Sequence, residues 1–237
     1  MRGNSSFLLQ IVLIVSLHFN TITADTGPHT QVQTQFQEQV FNFGHVGIDF
    51  IVYHTFYLVN QTKEPIRIIK ATPSCNCIGV TTLDSIVNPG DTAFFRMKFN
   101  SKDFYGPTNK SFTVSTDHPS MPEVKFSFLS QVGQWFAGIK PDPISLFFLP
   151  KHRAKKITIK NTMYDEISVT VQEQFSNDFD ITLLKDKASK GQALELEVVP
   201  RTDSGRGTYT SSFTLAVEKK GDSKPTILTI PIKIVRY

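Results

Sequence analysis

The chain has 237 residues, a formal charge of +4, 13 glycines, 13 prolines and two cysteines. That length suits one large domain or two ordinary ones. A charge this small, spread over the whole chain, singles out no polyanionic partner.

Residues 1–24 have the pattern of a secretory signal peptide. Met1-Arg2 supplies a positive start, Phe7 to Phe19 an apolar run interrupted by Gln10, Ser16 and His18, and Thr23-Ala24 a small-residue exit. The run is shorter than the roughly 20 apolar residues of a spanning helix. Cleavage near Ala24 is therefore predicted, with a retained anchor as the alternative because Ile22 is bulky for a cleavage site. No cysteine follows the run, so no lipoprotein is expected. Removal of Arg2 lowers the formal charge to +3, and the mature chain is predicted to have no transmembrane span. Residues 25–38, with Gln31, Gln33, Gln35 and Gln37 at alternate positions, read as a polar, flexible arm.

From Val40 the pattern becomes period-two alternation, the mark of strands with one face in a core. His54, Phe56 and Leu58 share a face. So do Phe95, Met97 and Phe99, then Phe112 and Val114, then Val124, Phe126 and Phe128. Gln61-Thr62-Lys63-Glu64-Pro65, Asn88-Pro89-Gly90-Asp91 and Asp117-His118-Pro119 supply turn chemistry between them. The second half repeats the first at an offset of 101 residues: Asn60 falls on Asn161, Ile66 on Ile167, Gly90 on Gly191, Gly106 on Gly207, and Ser111-Phe112-Thr113 on Ser212-Phe213-Thr214. No helical periodicity follows the leader. The prediction is all-β: two tandem immunoglobulin-like antiparallel β-sandwiches, residues 39–133 and 134–237, each near the usual size for that fold. The partly apolar junction Gln131 to Gly138 predicts end-to-end packing with limited freedom.

The phrases Phe41-Asn42-Phe43-Gly44, His54-Thr55-Phe56-x-Leu58-x-Asn60, Ser74-Cys75-Asn76-Cys77, Asn88-Pro89-Gly90-Asp91 and Lys110-x-Phe112-x-Val114-x-x-Asp117-x-Pro119 occur in order. Over about residues 40–133 they resemble the bacterial domain-of-unknown-function family 1573, related to Hydin-type and major-sperm-protein modules. That resemblance implies an immunoglobulin-like sandwich and a bacterial source, and it carries no activity. Asn76 departs from the family, which usually has glycine between the two cysteines.

Cys75 and Cys77 are the chain's reactive pair, with Ser176 and Asp178 at the corresponding positions of the second half. Three readings stand. The pair could be a redox-active disulfide, a soft-metal site for copper or zinc with His54 as the added ligand, or a loop pair that oxidises on export and serves structure alone. His45, His118, Met97 and Met121 are further possible ligands without diagnostic spacing. His54 itself reads as a core-edge histidine bonded to backbone, and Trp135 as an interdomain plug in preference to a carbohydrate platform. The sequons at Asn60 and Asn109 read as turn residues. The cluster Lys151-His152-Arg153-Ala154-Lys155-Lys156 reads as a solvated hairpin turn, with anionic polymer or lipid headgroups as its functional alternative. It has no interleaved aromatics and no helix, so nucleic acid is not an expected partner.

Enzyme signatures are absent, and Asp117-His118 beside Ser115 or Ser120 makes no triad by adjacency alone. No enzyme activity and no cofactor are expected. The expected role is a non-enzymatic binding or scaffolding module of the periplasm or cell envelope, facing an envelope protein or polysaccharide. The alternative is a thiol-redox or copper/zinc-handling protein acting through Cys75 and Cys77.

Overall fold

In the computed structural model the described residues are 39–82, 84–201 and 205–237, and none of them is helical. The leader and the arm lie outside the described residues. The first half contributes β1 (Val40–Val46), β2 (Ile51–Val59), β3 (Ile66–Pro73), β4 (Ile78–Thr82), β5 (Ile86–Val87), β6 (Thr92–Asn100), β7 (Gly106–Thr116) and β8 (Glu123–Val132). The second contributes β9 (Pro141–Asp142), β10 (Leu146–Phe148), β11 (Lys155–Lys160), β12 (Glu166–Gln174), β13 (Phe179–Lys185), β14 (Lys187–Ser189), β15 (Ala193–Pro200), β16 (Gly207–Lys219) and β17 (Thr226–Arg236).

Alternation places the apolar face of each strand inside, as its period requires. Phe56, Phe95, Phe99, Phe112, Phe126 and Phe128 are at most 1% exposed. Phe112 stacks on Phe126 at 5.2 Å, and both meet Phe56 and Phe95. This aromatic core belongs to residues 41–132. A second, mainly aliphatic core, with Ile157, Ile159, Leu194, Leu196 and Leu215, belongs to residues 139–234.

The 101-residue register extends to backbone hydrogen bonds. Strands β2 to β8 recur as β11 to β17 with ends agreeing within three residues. Asn60 and Asn161 are both fully buried. Asn60 Nδ2 donates to Glu64 O and Val87 O, while Asn161 Nδ2 donates to Tyr164 O and Ala188 O. Their own carbonyls accept from Gly90 and Gly191, whose φ angles of 85° and 82° lie in the left-handed region that suits glycine. Each asparagine thus ties a strand end to the turn before the next long strand.

The halves are joined edge to edge, not end to end as the junction had suggested. One sheet has the order β14-β12-β16-β17-β1-β8-β7-β3-β5, with β10 also on β17; β2-β6-β4 and β13-β15-β11-β9 form the others. The first strand of the second half is divided. Pro141 and Asp142 pair with β11, whereas Leu146 to Phe148 pair with β17 at Ile232 to Ile234. The beginning of β17 is therefore open to β1, where His45 lies opposite Leu228 and Thr229 Oγ1 donates to Phe43 O at 2.7 Å. Gly44 permits the approach: its φ is 60°, and a Cβ there would fall 2.0 Å from Ile227 O.

Two local expectations are corrected. The cluster Lys151–Lys156 is no hairpin turn: β10 pairs with β17 and β11 with β15, so residues 149–154 cross between sheets while Lys155 and Lys156 already lie on β11. Asn109 lies within β7, opposite Leu129, and not in a turn.

Candidate functional site

The chain leaves β3 after Pro73 and reaches β4 through Cys75 and Cys77, which are joined by a disulfide with Cα atoms 5.2 Å apart. The backbone holds this loop at both ends. Ser74 N donates to Ser111 O, Ser111 N to Ser74 Oγ, Ile78 N to Cys75 O, and Asn100 N to Cys77 O. The sulfur-bearing residues are half-buried against the first core, and Asn76 is exposed. The second half repeats the two ladder bonds without cysteine, since Phe175 N donates to Ser212 O and Arg201 N to Asp178 O. The path of the loop therefore comes from the backbone register, and the disulfide is an addition to it.

Beside this loop, β4 is the outer strand of its sheet, paired to β6 through Ile78–Phe99 to Thr82–Phe95. Its other side bears no strand among the described residues. Ile78 is buried and Thr81 exposed. At the opposite edge, β2 is occupied by the second half: Tyr53 N donates to Ser212 Oγ at 2.9 Å, the Tyr53 hydroxyl bonds Thr210 Oγ1, and the Tyr53 ring stacks on Phe175 at 4.8 Å. Of the two edges of β2-β6-β4, the β4 edge is the one that no other described residue range pairs with.

His54 is buried, as its place on the inward face requires, but its Nδ1 bonds a carboxylate and not the backbone. Both oxygens of Glu173, from β12, lie 2.9 Å away. The imidazole stacks on Phe41 at 3.7 Å and meets Phe56 edge-on at 4.4 Å. Glu173 follows a bulge in β12; no local sequence signal marks it, because the contact spans 119 positions.

The possible metal ligands are not brought together. His54 pairs across to Met97 on β6, which pairs on to Val80, whereas Cys77 bonds Asn100. Two strand spacings and three residue rows separate His54 from the cysteines, about 14 Å from strand geometry. His45 bonds Gln134 O at the seam, His118 bonds Ser120, and Met121 lies in the first core. Among the described residues no three His, Cys, Asp or Glu side chains form a cluster able to hold a metal ion. Asp117 accepts from Arg67 N while His118 turns to Ser120, so these residues make no relay. Trp135 is half-buried, packs on the second core and faces His45 at 6.3 Å. Asn60, fully buried with its amide committed to two carbonyls, presents no acceptor for a glycan.

The fold and site define an all-β protein with two hydrophobic cores and a cystine loop beside a strand edge that no other described strand covers. Residues 34–128 match the model of a family described as protein of unknown function (DUF1573), the family that the motifs resemble. No curated protein matches the chain. Three solved structures are similar to it in part. The VesB protease of Vibrio cholerae is 13% identical over 41% of this chain and 31% of its own, with a TM-score of 0.34. A protein of unknown function from Porphyromonas gingivalis W83 is 8% identical over 84% and 99%, with a TM-score of 0.33. PapD-like domain 7 of human CEP192 is 9% identical over 49% and 98%, with a TM-score of 0.37. The chain thus spans less than a third of the VesB protease, and likenesses at these scores carry no argument about activity. Among the described residues no helix is long and apolar enough to cross a membrane.

Proposed function

We propose that the protein is an exported, non-enzymatic module of the cell envelope, built as two tandem sandwiches (39–133 and 134–237), that docks an extended polypeptide along β4. The observation that carries this reading is the side of β4 that no other described strand covers, which lies beside the half-buried cystine while the opposite edge of its sheet is closed by the second half. An open edge offers backbone donors and acceptors at strand spacing, and a partner strand satisfies them. The leader pattern of residues 1–24 supports export. Hydrogen–deuterium exchange with an envelope fraction tests the docking. Amides of residues 78–82 are expected to slow while those of β14 are unchanged; unchanged exchange at β4 sinks the proposal.

A thiol-redox role is the second reading, favoured by the half-buried cystine flanking exposed Asn76. It requires a reversible two-electron couple that the double variant Cys75→Ser/Cys77→Ser abolishes. Docking through β4 requires instead that this variant retain its partner. A soft-metal role requires free thiolates and stoichiometric copper or zinc that the same double variant loses.

A further inference from the structure

The second half carries a cleft of about 740 Å³ at the end where β10, β15 and β17 finish. Phe148, Leu149, Pro150, Val199 and Ile234 give it an apolar floor, while Arg153, Arg201, Arg206 and Arg236 all line it. Among the described residues that line it there is no Asp or Glu. Two half-cleft features lie far apart in sequence: the basic crossing segment that begins at Lys151 and the last residues of β17.

The four arginines are not equivalent. Arg201 is engaged by Asp180, with its Nη2 2.6 Å from Oδ1 and its Nε 3.0 Å from both carboxylate oxygens. Arg153 and Arg206 are exposed, and neither side chain has an ion-pair partner among the described residues. Arg236 is held in place: its Nη2 donates to Asp178 O at 3.1 Å and its guanidinium lies 4.9 Å over the Tyr209 ring. Tyr209 is itself fixed by donation to Gly205 O at 2.7 Å. Yet Nη1 of Arg236 is shut from solvent and finds no acceptor among the described residues. A buried guanidinium donor without an acceptor is unfavourable, and an oxyanion is the group whose geometry fills it best.

His152 adds no charge. Its Nδ1 accepts from Leu149 N at 2.9 Å, and partial burial together with Lys155 and Lys151 holds its pKa below the ordinary histidine value. The positive character of the cleft therefore comes from guanidinium groups, which stay charged at any physiological pH.

We propose that this cleft binds an organic anion, a carboxylate or phosphate carried on a short apolar body. The headgroup lies between Arg153, Arg206 and Arg236 Nη1, and the body rests on the floor of Phe148, Leu149 and Ile234. Contact with Nη1 requires the wall of the cleft around Arg236 to give way; Tyr237, 83% exposed, is the lining residue next to it in sequence. The site lies in the second half, does not rest on docking at β4, and stands or falls without it.

Isothermal titration of the full chain at low ionic strength tests the site with octyl phosphate, octanoate, inorganic phosphate and the neutral octyl glucoside. Octyl phosphate and octanoate are expected to bind, the tighter of the two identifying the headgroup. Inorganic phosphate should bind more weakly and octyl glucoside not at all. Arg236→Met should weaken the anionic octyl ligands by about tenfold or more, the usual consequence of losing one charged hydrogen bond. Should that variant misfold, Arg153→Ala/Arg206→Ala, both at exposed positions, should give a loss of at least the same size. Binding of octyl glucoside, inorganic phosphate matching octyl phosphate, no binding of either anion, or unchanged affinity in the double variant overturns the proposal.

Discussion

Replacing Asn60 and Asn161 by alanine, one at a time, probes the most duplicated feature of the fold. Asn60 is fully buried and makes four side-chain bonds: Nδ2 to Glu64 O and Val87 O, and Oδ1 from Thr62 N and Thr62 Oγ1. Alanine leaves Val87 O and Thr62 N without these partners, whereas Glu64 O keeps the Thr62 hydroxyl. Asn161→Ala strips Tyr164 O, Ala188 O and Tyr164 N in the same way. Each stranded buried group costs about 1–3 kcal/mol. Allowing for partial access of water at the turn, each variant should lose roughly 3–5 kcal/mol. Asn109→Ala, at an exposed position, should stay within about 0.5 kcal/mol. Urea unfolding followed by far-ultraviolet circular dichroism measures all three. The reasoning is refuted if either buried variant loses less than about 1 kcal/mol, or if Asn60 proves essential and Asn161 does not.

Phe95→Ala should cost about 3–5 kcal/mol, because the ring is fully buried against Phe112 and Phe126; Lys98→Ala, exposed on the other face of β6, should cost little by the same measurement. Equal losses would mean that β6 is in the wrong register. Gly44→Ala places a Cβ against Ile227 O and puts a side chain at positive φ, which by itself costs about 1–3 kcal/mol. Scanning calorimetry should show a lowered melting temperature, and an unchanged one would contradict close approach at the seam. Hydrogen bonding from Arg201 holds the Asp180 carboxyl below its ordinary range. Because the folded value is depressed, the stabilisation is present above the unfolded pKa and disappears as pH falls through the folded one. Carboxyl carbon NMR should place its midpoint below the usual 3.9 or so, and Arg201→Ala should restore it; an unshifted midpoint in the parent protein would refute the pair.

Strand faces were legible in the sequence because burial in a sandwich is written with period two: Phe95, Met97 and Phe99 could be placed before any strand was paired. The offset of 101 residues was legible because glycines, turn residues and core positions recur together. What the sequence did not reveal are contacts between distant parts of the chain. Gly44 stands out as a glycine, yet its reason, the Ile227 carbonyl, is 183 positions away. His54 was legible as inward, but its partner Glu173 sits at a bulge that local patterning does not announce. The hairpin expected at Lys151–Lys156 failed because the first strand of the second half changes sheets, so its neighbours in sequence are not its neighbours in the ladder. The arginine cleft is invisible for the same reason: Arg153 and Arg236 meet only after β10 has paired with β17.

Docking at β4 is tested most directly by photocrosslinking in living cells. A photoreactive residue at Thr81, exposed on the open strand, should give one discrete, saturable adduct with a protein of the envelope. The same group at Lys98, also exposed but on the inner strand β6, should give much less. An adduct of equal yield from both positions, or none from Thr81, would contradict recognition through the open edge.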